Sequence, residues 1–252
     1  KMLDSRISDS VVDYAISLGA DFAELFVERN QVSTVATLSN EVQAVRSGID
    51  FGIGIRLVYG YKVLYGYTNR IDEEELKRII MELATKDLRD PMTQKVNFDY
   101  RQQTDHHPAL ETLSVDANIE SKIAYLLAAD QTARAASNMI SQTSGSCLQR
   151  EQKIELFNSE GLHTEDTRNY IRANMTAYAS DGGEQATGSW NDGGLRGWEI
   201  KDDINAEKTG EEAARQALVN LSAKACPSGR MPVVLGNGFG GVIFREACGH
   251  LL

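Results

Sequence analysis

The stretch Arg46-Ser-Gly-Ile-Asp-Phe-Gly-Ile-Gly-Ile-Arg56 places an apolar residue at every second position from Ile49 onward, which is the period of a half-buried strand. It lies inside a longer run, residues 21–68, whose β-branched and aliphatic content includes Val32, Val35, Val42, Val45, Ile53, Ile55, Leu57 and Val63. Ser39-Asn40, Ser47-Gly48 and Tyr59-Gly60 punctuate the run and predict turns. Helical patterns flank it. Ile7, Val11, Tyr14, Ala15 and Leu18 fall at helical spacing, with Gly19 as a stop. Downstream, Asp72 stands three residues before Glu75 as in a capping box, ahead of a stripe of Leu76, Ile79, Ile80 and Leu83. The acidic run Asp72-Glu-Glu-Glu75 therefore reads as a first turn that opposes the helix dipole, not as a metal site.

The same order recurs further on. Ile119, Ile123, Leu126 and Leu127 mark a long helix at about residues 116–136. A strand-rich run over residues 139–190 follows, with turns at Asn158-Ser-Glu-Gly161 and Asp181-Gly-Gly183. A last helix, about residues 203–221, carries Ala206, Ala213, Ala217 and Leu221. Ser39-Asn40-Glu41 resembles Asn158-Ser159-Glu160, and the meanders close with Gly66-Tyr67 or Gly188-Ser189-Trp190. The expected fold class is α+β: two related layers of antiparallel sheet covered by helices, then the first strand and helix of a truncated third domain.

Pro91 and Pro108 bracket a polar stretch without periodicity, and Pro227 and Pro232 bracket a second break. These breaks divide the chain into an N-terminal α+β domain (1–88), a linker (89–112), a central α+β domain (113–226) and the start of a C-terminal domain (227–252). The apolar positions of that last piece lack a core of their own.

Of 252 residues, 26 are Lys or Arg and 36 are Asp or Glu, giving a net charge of -10. Such a surface repels phosphate backbones, so no nucleic-acid partner is expected. Apolar runs such as 124–129 and 232–235 fall short of the roughly 20 residues that span a bilayer, and no signal peptide is read at the start. No membrane partner is expected either. Cys147, Cys226 and Cys248 are odd in number and form no CxxC pair, which suggests a reducing compartment and three small buried residues. His106-His107 sits in the linker as a solvated pair, and nothing singles out His163.

Chemistry concentrates near the end. Gly236, Gly238 and Gly241 satisfy G-x-G-x-x-G, but no βαβ unit precedes them, and the place of an acidic ribose-binding residue, about 20 positions later, falls past residue 252, so the signal is weak. Glu246 and His250, four apart, share a face on a helix. A histidine nitrogen on zinc beside a carboxylate that takes a proton from metal-bound water is the set-up of zinc hydrolysis. Such a pair is common on solvated helices and is weak by itself.

The run Leu235-Gly-Asn-Gly-Phe-Gly-Gly-Val-Ile-Phe-Arg-Glu-Ala-Cys-Gly-His250 closely resembles the core of the TldD/PmbA family, also described as modulators of DNA gyrase. Gly19-Ala-Asp-Phe-Ala-Glu24 and the Arg46–Arg56 stretch resemble the same family, so the likeness covers essentially the whole chain. In the TldD branch this core carries an HExxxH zinc motif. The resemblance implies a cytoplasmic zinc metallopeptidase acting on unfolded or extended peptides, with a homologous metal-free partner subunit, in a homo- or hetero-oligomer. Carried over by position, Glu246 is the catalytic general base and His250 the second metal ligand. Arg245 occupies the first ligand position. A guanidinium has no free lone pair and cannot bind zinc. The family's third ligand, a distant downstream cysteine, has no counterpart in these residues. The complete family site takes zinc; for this chain the expectation is no tightly bound zinc and no peptidase activity. The alternative is a non-catalytic, peptide-binding partner subunit. Positions 245 and 250 lie about 140° apart on a regular helix, so the helix is expected to depart from α geometry at or after Cys248.

Overall fold

Strand β1 (Phe22–Leu38) joins what the sequence presents as two separate sheets. On one edge it pairs antiparallel with β2 (Glu41–Tyr59), and on the other with β5 (Ile140–Asn158), from Glu24 opposite Asn158 to Leu38 opposite Ser144. The result is one seven-stranded sheet in the order β3-β2-β1-β5-β6-β4. Here β3 is Lys62–Thr68, β4 Asp99–Gln102 and β6 Leu162–Ser180, while β7 (Gln185–Gly194) also pairs with β6. All pairings are antiparallel except β4 with β6. This is a computed structural model that describes residues 2–87, 97–102, 104 and 106–251. The α+β class stands, and the two expected layers are the two halves of one continuous sheet. The physical reason is that two long strands with open edges satisfy each other's backbone N–H and C=O groups by pairing.

Helices α1 (Ser5–Ser17) and α2 (Glu73–Ala84) cover the first half. Asp4 caps α1 by accepting from the Arg6 N–H, and Gly19, at φ 93°, turns the chain out of it. Asp72 caps α2 by accepting from the Glu75 N–H at 2.9 Å, as the capping-box spacing predicts. The whole stripe of Leu76, Ile79, Ile80 and Leu83 is buried with Val11, Val12, Leu25, Val27, Ile53, Ile55 and Leu57. Each such side chain contributes about 1.5–3 kcal/mol on leaving water. Phe157 of β5 belongs to the same core, so the second block helps to build the first.

Helices α3 (Ile119–Ala135) and α4 (Ala206–Leu221) cover the second half. Ala129 and Ala133 of α3 pack with Ala213, Ala214 and Ala217 of α4, and small side chains let the helices approach closely. Val35 of β1 packs with Leu126 of α3, while Leu25 and Val27 lie in the core that α1 and α2 cover. These β1 residues share parity, so the helices share one face of the sheet.

Three local expectations change. Ser47-Gly48 is not a turn: β2 runs straight through it, held by Ser33 and Val32 opposite on β1. Helix α4 starts at Ala206 after a short turn, Trp198–Asp202, whose Trp198 is fully buried and donates to Ser121 Oγ at 2.8 Å. The polar linker contains strand β4, and part of it, residues 89–96, 103 and 105, lies outside the described residues.

The chain forms two compact units, Lys1–Leu221 and Ser222–Leu252. Among the described residues no helix is long and apolar enough to cross a membrane.

Candidate metal centre

The second unit carries the motif. Residues 231–235, expected as a strand, form none, because a strand exists only by pairing and these residues have no pairing partner among the described ones. Gly238, at φ 74°, opens a tight turn, followed by a short helix α5 (Gly241–Phe244) and a π-type turn over Arg245–Gly249. The His250 N–H donates to the Arg245 carbonyl at 3.2 Å, five residues back. The helix departs from α geometry as expected, but at Arg245, earlier than Cys248. Closing the turn one residue later brings positions five apart toward a common face.

The turn gathers the three side chains that the sequence singles out. Glu246 Oε1 lies 3.1 Å from Arg245 Nη1 and 3.6 Å from His250 Nε2. Zinc takes three or four lone-pair donors at about 2.0–2.3 Å. Here one imidazole and one carboxylate are present, and the carboxylate is held by a guanidinium that can only donate. Among the described residues, no third His, Cys, Asp or Glu forms a ligand group with this pair. The residues present do not fit a zinc ion.

A different group is brought together inside the first unit. Glu155 on β5 and His163 and Glu165 on β6 place their ligand atoms within 4.8 Å of one another. His163 Nε2 lies 2.8 Å from Glu155 Oε1, and its ring stacks on Phe157 with centroids 4.2 Å apart. Glu155 Oε2 accepts the N–H groups of Met2 at 2.7 Å and Leu3 at 3.1 Å. Burial acts to raise the Glu155 carboxyl, and these amides with His163 outweigh it and hold the pKa below the ordinary value. Both Glu155 oxygens are thus committed to neighbours, and the cluster acts as an anchor for the N-terminal segment. Sequence reasoning passed over His163. The signal was the Asn158–Gly161 turn, because counting outward from it sets Phe157 opposite His163 and Glu155 opposite Glu165.

The remaining candidates are simpler. His106 and His107 are exposed and line a cleft of about 530 Å³ with Thr164, Asp166, Arg168 and Asn169. Of the three cysteines expected to be buried, Cys147 is, whereas Cys226 and Cys248 are exposed. The exposed pair lies in the segment after Leu221, which contains no strand among the described residues.

The helix-backed sheet and the glycine-rich turn with Glu and His are set against known proteins, and it is the family models and relatives that supply the class, a metallopeptidase family. Residues 23–83 match the family model for PmbA/TldA metallopeptidase domain 1, and residues 114–221 match the model for the central domain. A metalloprotease TldD homolog of Haemophilus influenzae is 31% identical over 252 residues, covering 96% of this chain and 51% of the relative. A metalloprotease of Methanocaldococcus jannaschii is 25% identical over 234 residues, covering 91% of this chain and 51% of that protein. Among solved structures, a candidate modulator of DNA gyrase from Bacteroides thetaiotaomicron superposes with a TM-score of 0.72 at 17% identity, over 89% of this chain and 52% of that one. TldE from Thermococcus kodakarensis superposes with a TM-score of 0.62 at 14% identity, over 84% of this chain and 47% of that one. These structural likenesses establish the fold. The chain belongs to the TldD/PmbA family. It spans about half the length of the curated relatives it matches.

Proposed function

We propose that these 252 residues carry the first and central domains of a TldD-type zinc metallopeptidase together with an altered form of its metal-binding turn. In this form they neither hold zinc tightly nor hydrolyse peptides. The observation that carries the reading is the Arg245–Glu246 ion pair at 3.1 Å. Glu246 stands at the general-base position and His250 at the second ligand position. Arg245, at the first ligand position, removes a lone pair and adds a fixed positive charge that repels a divalent cation. Unfolded or extended peptides are the substrate class of the complete protein. A homologous TldD/PmbA-type subunit is its partner, and the odd cysteine count without CxxC supports a cytoplasmic setting. The net charge of -10 speaks against nucleic acid as a partner.

Arg245 also favours a second reading, a non-catalytic subunit that binds extended peptide by strand addition. One experiment separates the two. Zinc content and peptide hydrolysis are measured for the full-length protein and its Arg245→His variant. The variant gaining both supports an altered enzyme, and its gaining neither supports the partner subunit. Stoichiometric zinc at His250 in the 252-residue chain overturns the first proposal.

A further inference from the structure

Strand β2 is longer than its outer neighbour. β3 covers it only from Ile53 to Tyr59, while β1 pairs with it from Glu41 to Val58. From Glu41 to Gly52 the outer edge of β2 therefore has no strand partner among the described residues. Open edges are usually blunted by proline, a bulge or short length. Residues 41–52 contain no proline. The one register shift between β1 and β2 leaves Gln43 unopposed, so residues 44–52 stay regular.

We propose that residues 44–52 of β2 pair antiparallel with the same residues of a second copy, about a two-fold axis at Gly48. The charge pattern selects this register. Arg46 and Asp50 lie on one face of the strand, too far apart at about 13 Å to meet each other. Neither has an ion-pair partner among the described residues. Centring the pair on Gly48 sets Arg46 of each copy opposite Asp50 of the other, twice. Centring it on Arg46 opposes two guanidinium groups, and centring it on Asp50 opposes two carboxylates, both unfavourable. On the other face, the Gly48 register sets Val45 opposite Phe51 and brings the two Ile49 side chains into diagonal contact. Val45 and Ile49 are 48% and 57% exposed in the single chain, so this pairing removes apolar surface from water. Gly48 itself offers open space, since a Cβ built there meets nothing within 4 Å. This inference rests on the open edge and on the charged and apolar side chains along it, and is independent of whether the chain hydrolyses peptides.

The test is sedimentation equilibrium of the 252-residue chain across a concentration series reaching high micromolar. A monomer–dimer equilibrium is expected. Arg46→Asp and Asp50→Arg each weaken it by about tenfold or more, and the double reversal restores it to within about threefold. A second readout does not depend on these charges. With Cys226 and Cys248 replaced by Ser, Gly48→Cys forms an intermolecular disulfide on mild oxidation, because directly opposed strand positions meet the Cα spacing of a disulfide. A monomer at every concentration, or a dimer that tolerates both single reversals and does not cross-link through position 48, overturns the proposal. A double reversal as weak as the singles also overturns it.

Discussion

The imidazole of His163 stands 2.8 Å from the carboxylate of Glu155, and the same carboxylate holds the backbone of Met2 and Leu3. Two strands and the N-terminal segment thus converge on one buried anion. Glu165, opposite Glu155 on β6, and Tyr100, whose ring lies 4.8 Å from that of His163, complete its surroundings.

That anion makes stability pH-dependent in a definite direction. The Glu155 carboxyl is held below its ordinary value of 4.5. Its contribution is therefore fully present above pH 4.5 and is lost as pH falls through the lowered value. Glu155→Gln is expected to cost about 1–3 kcal/mol near neutrality, because it replaces a charged acceptor at buried donors. The deficit relative to the wild type shrinks in strong acid. Urea unfolding of both proteins at neutral and acidic pH checks this, and a deficit that does not change with pH contradicts it.

Gly210 on α4 packs against the Ala129 carbonyl and the Ala133 amide of α3, where a Cβ has no room. Backbone cannot swing aside as a side chain can. Gly210→Ala is expected to destabilise by about 1–3 kcal/mol through overpacking. At roughly 2–4 °C per kcal/mol for a chain of this size, thermal melting detects it. Gly48→Ala, in open space, is the control and should melt near the wild type.

Cys147 is buried on β5, and burial pushes its thiol up to about 12 despite the nearby Lys122 ammonium. Its thiolate is therefore scarce at pH 8, and reagents cannot reach it. A colorimetric thiol titration of the native protein should find Cys226 and Cys248 reacting promptly and Cys147 at least about a hundredfold more slowly. Unfolding should equalise them. Three equally fast thiols in the native state would count against the placement of Cys147.

The helices were legible in the sequence because their signals are local. Asp72 and Glu75 are three residues apart, and the Leu76–Leu83 stripe needs only the helical period. Apolar spacing also placed α3, at Ile119–Ala135, but it did not show that polar side chains share the buried face. Its buried face includes Lys122 and Asp130. Lys122 is tolerated there because its ammonium donates to Gln149 Oε1 at 2.6 Å and to the Ala117 carbonyl at 2.5 Å. Those acceptors are distant on the chain or outside the helix, so no periodicity announces them.

The sequence by itself determined the α+β class, the Asp72 cap of α2, the Gly19 stop of α1, four of the five turns it proposed and the glycine-rich run that holds Glu246 and His250. Each follows from residues within a few positions of one another, where chain entropy leaves little choice. Only the tertiary structure decided that β1 and β5 would meet and fuse two sheets, that Glu155 would find His163, and that β2 would extend past β3. Strand edges carry identical backbone donors and acceptors whatever their side chains, so their partners are chosen by the packing of the whole chain and not by any local pattern.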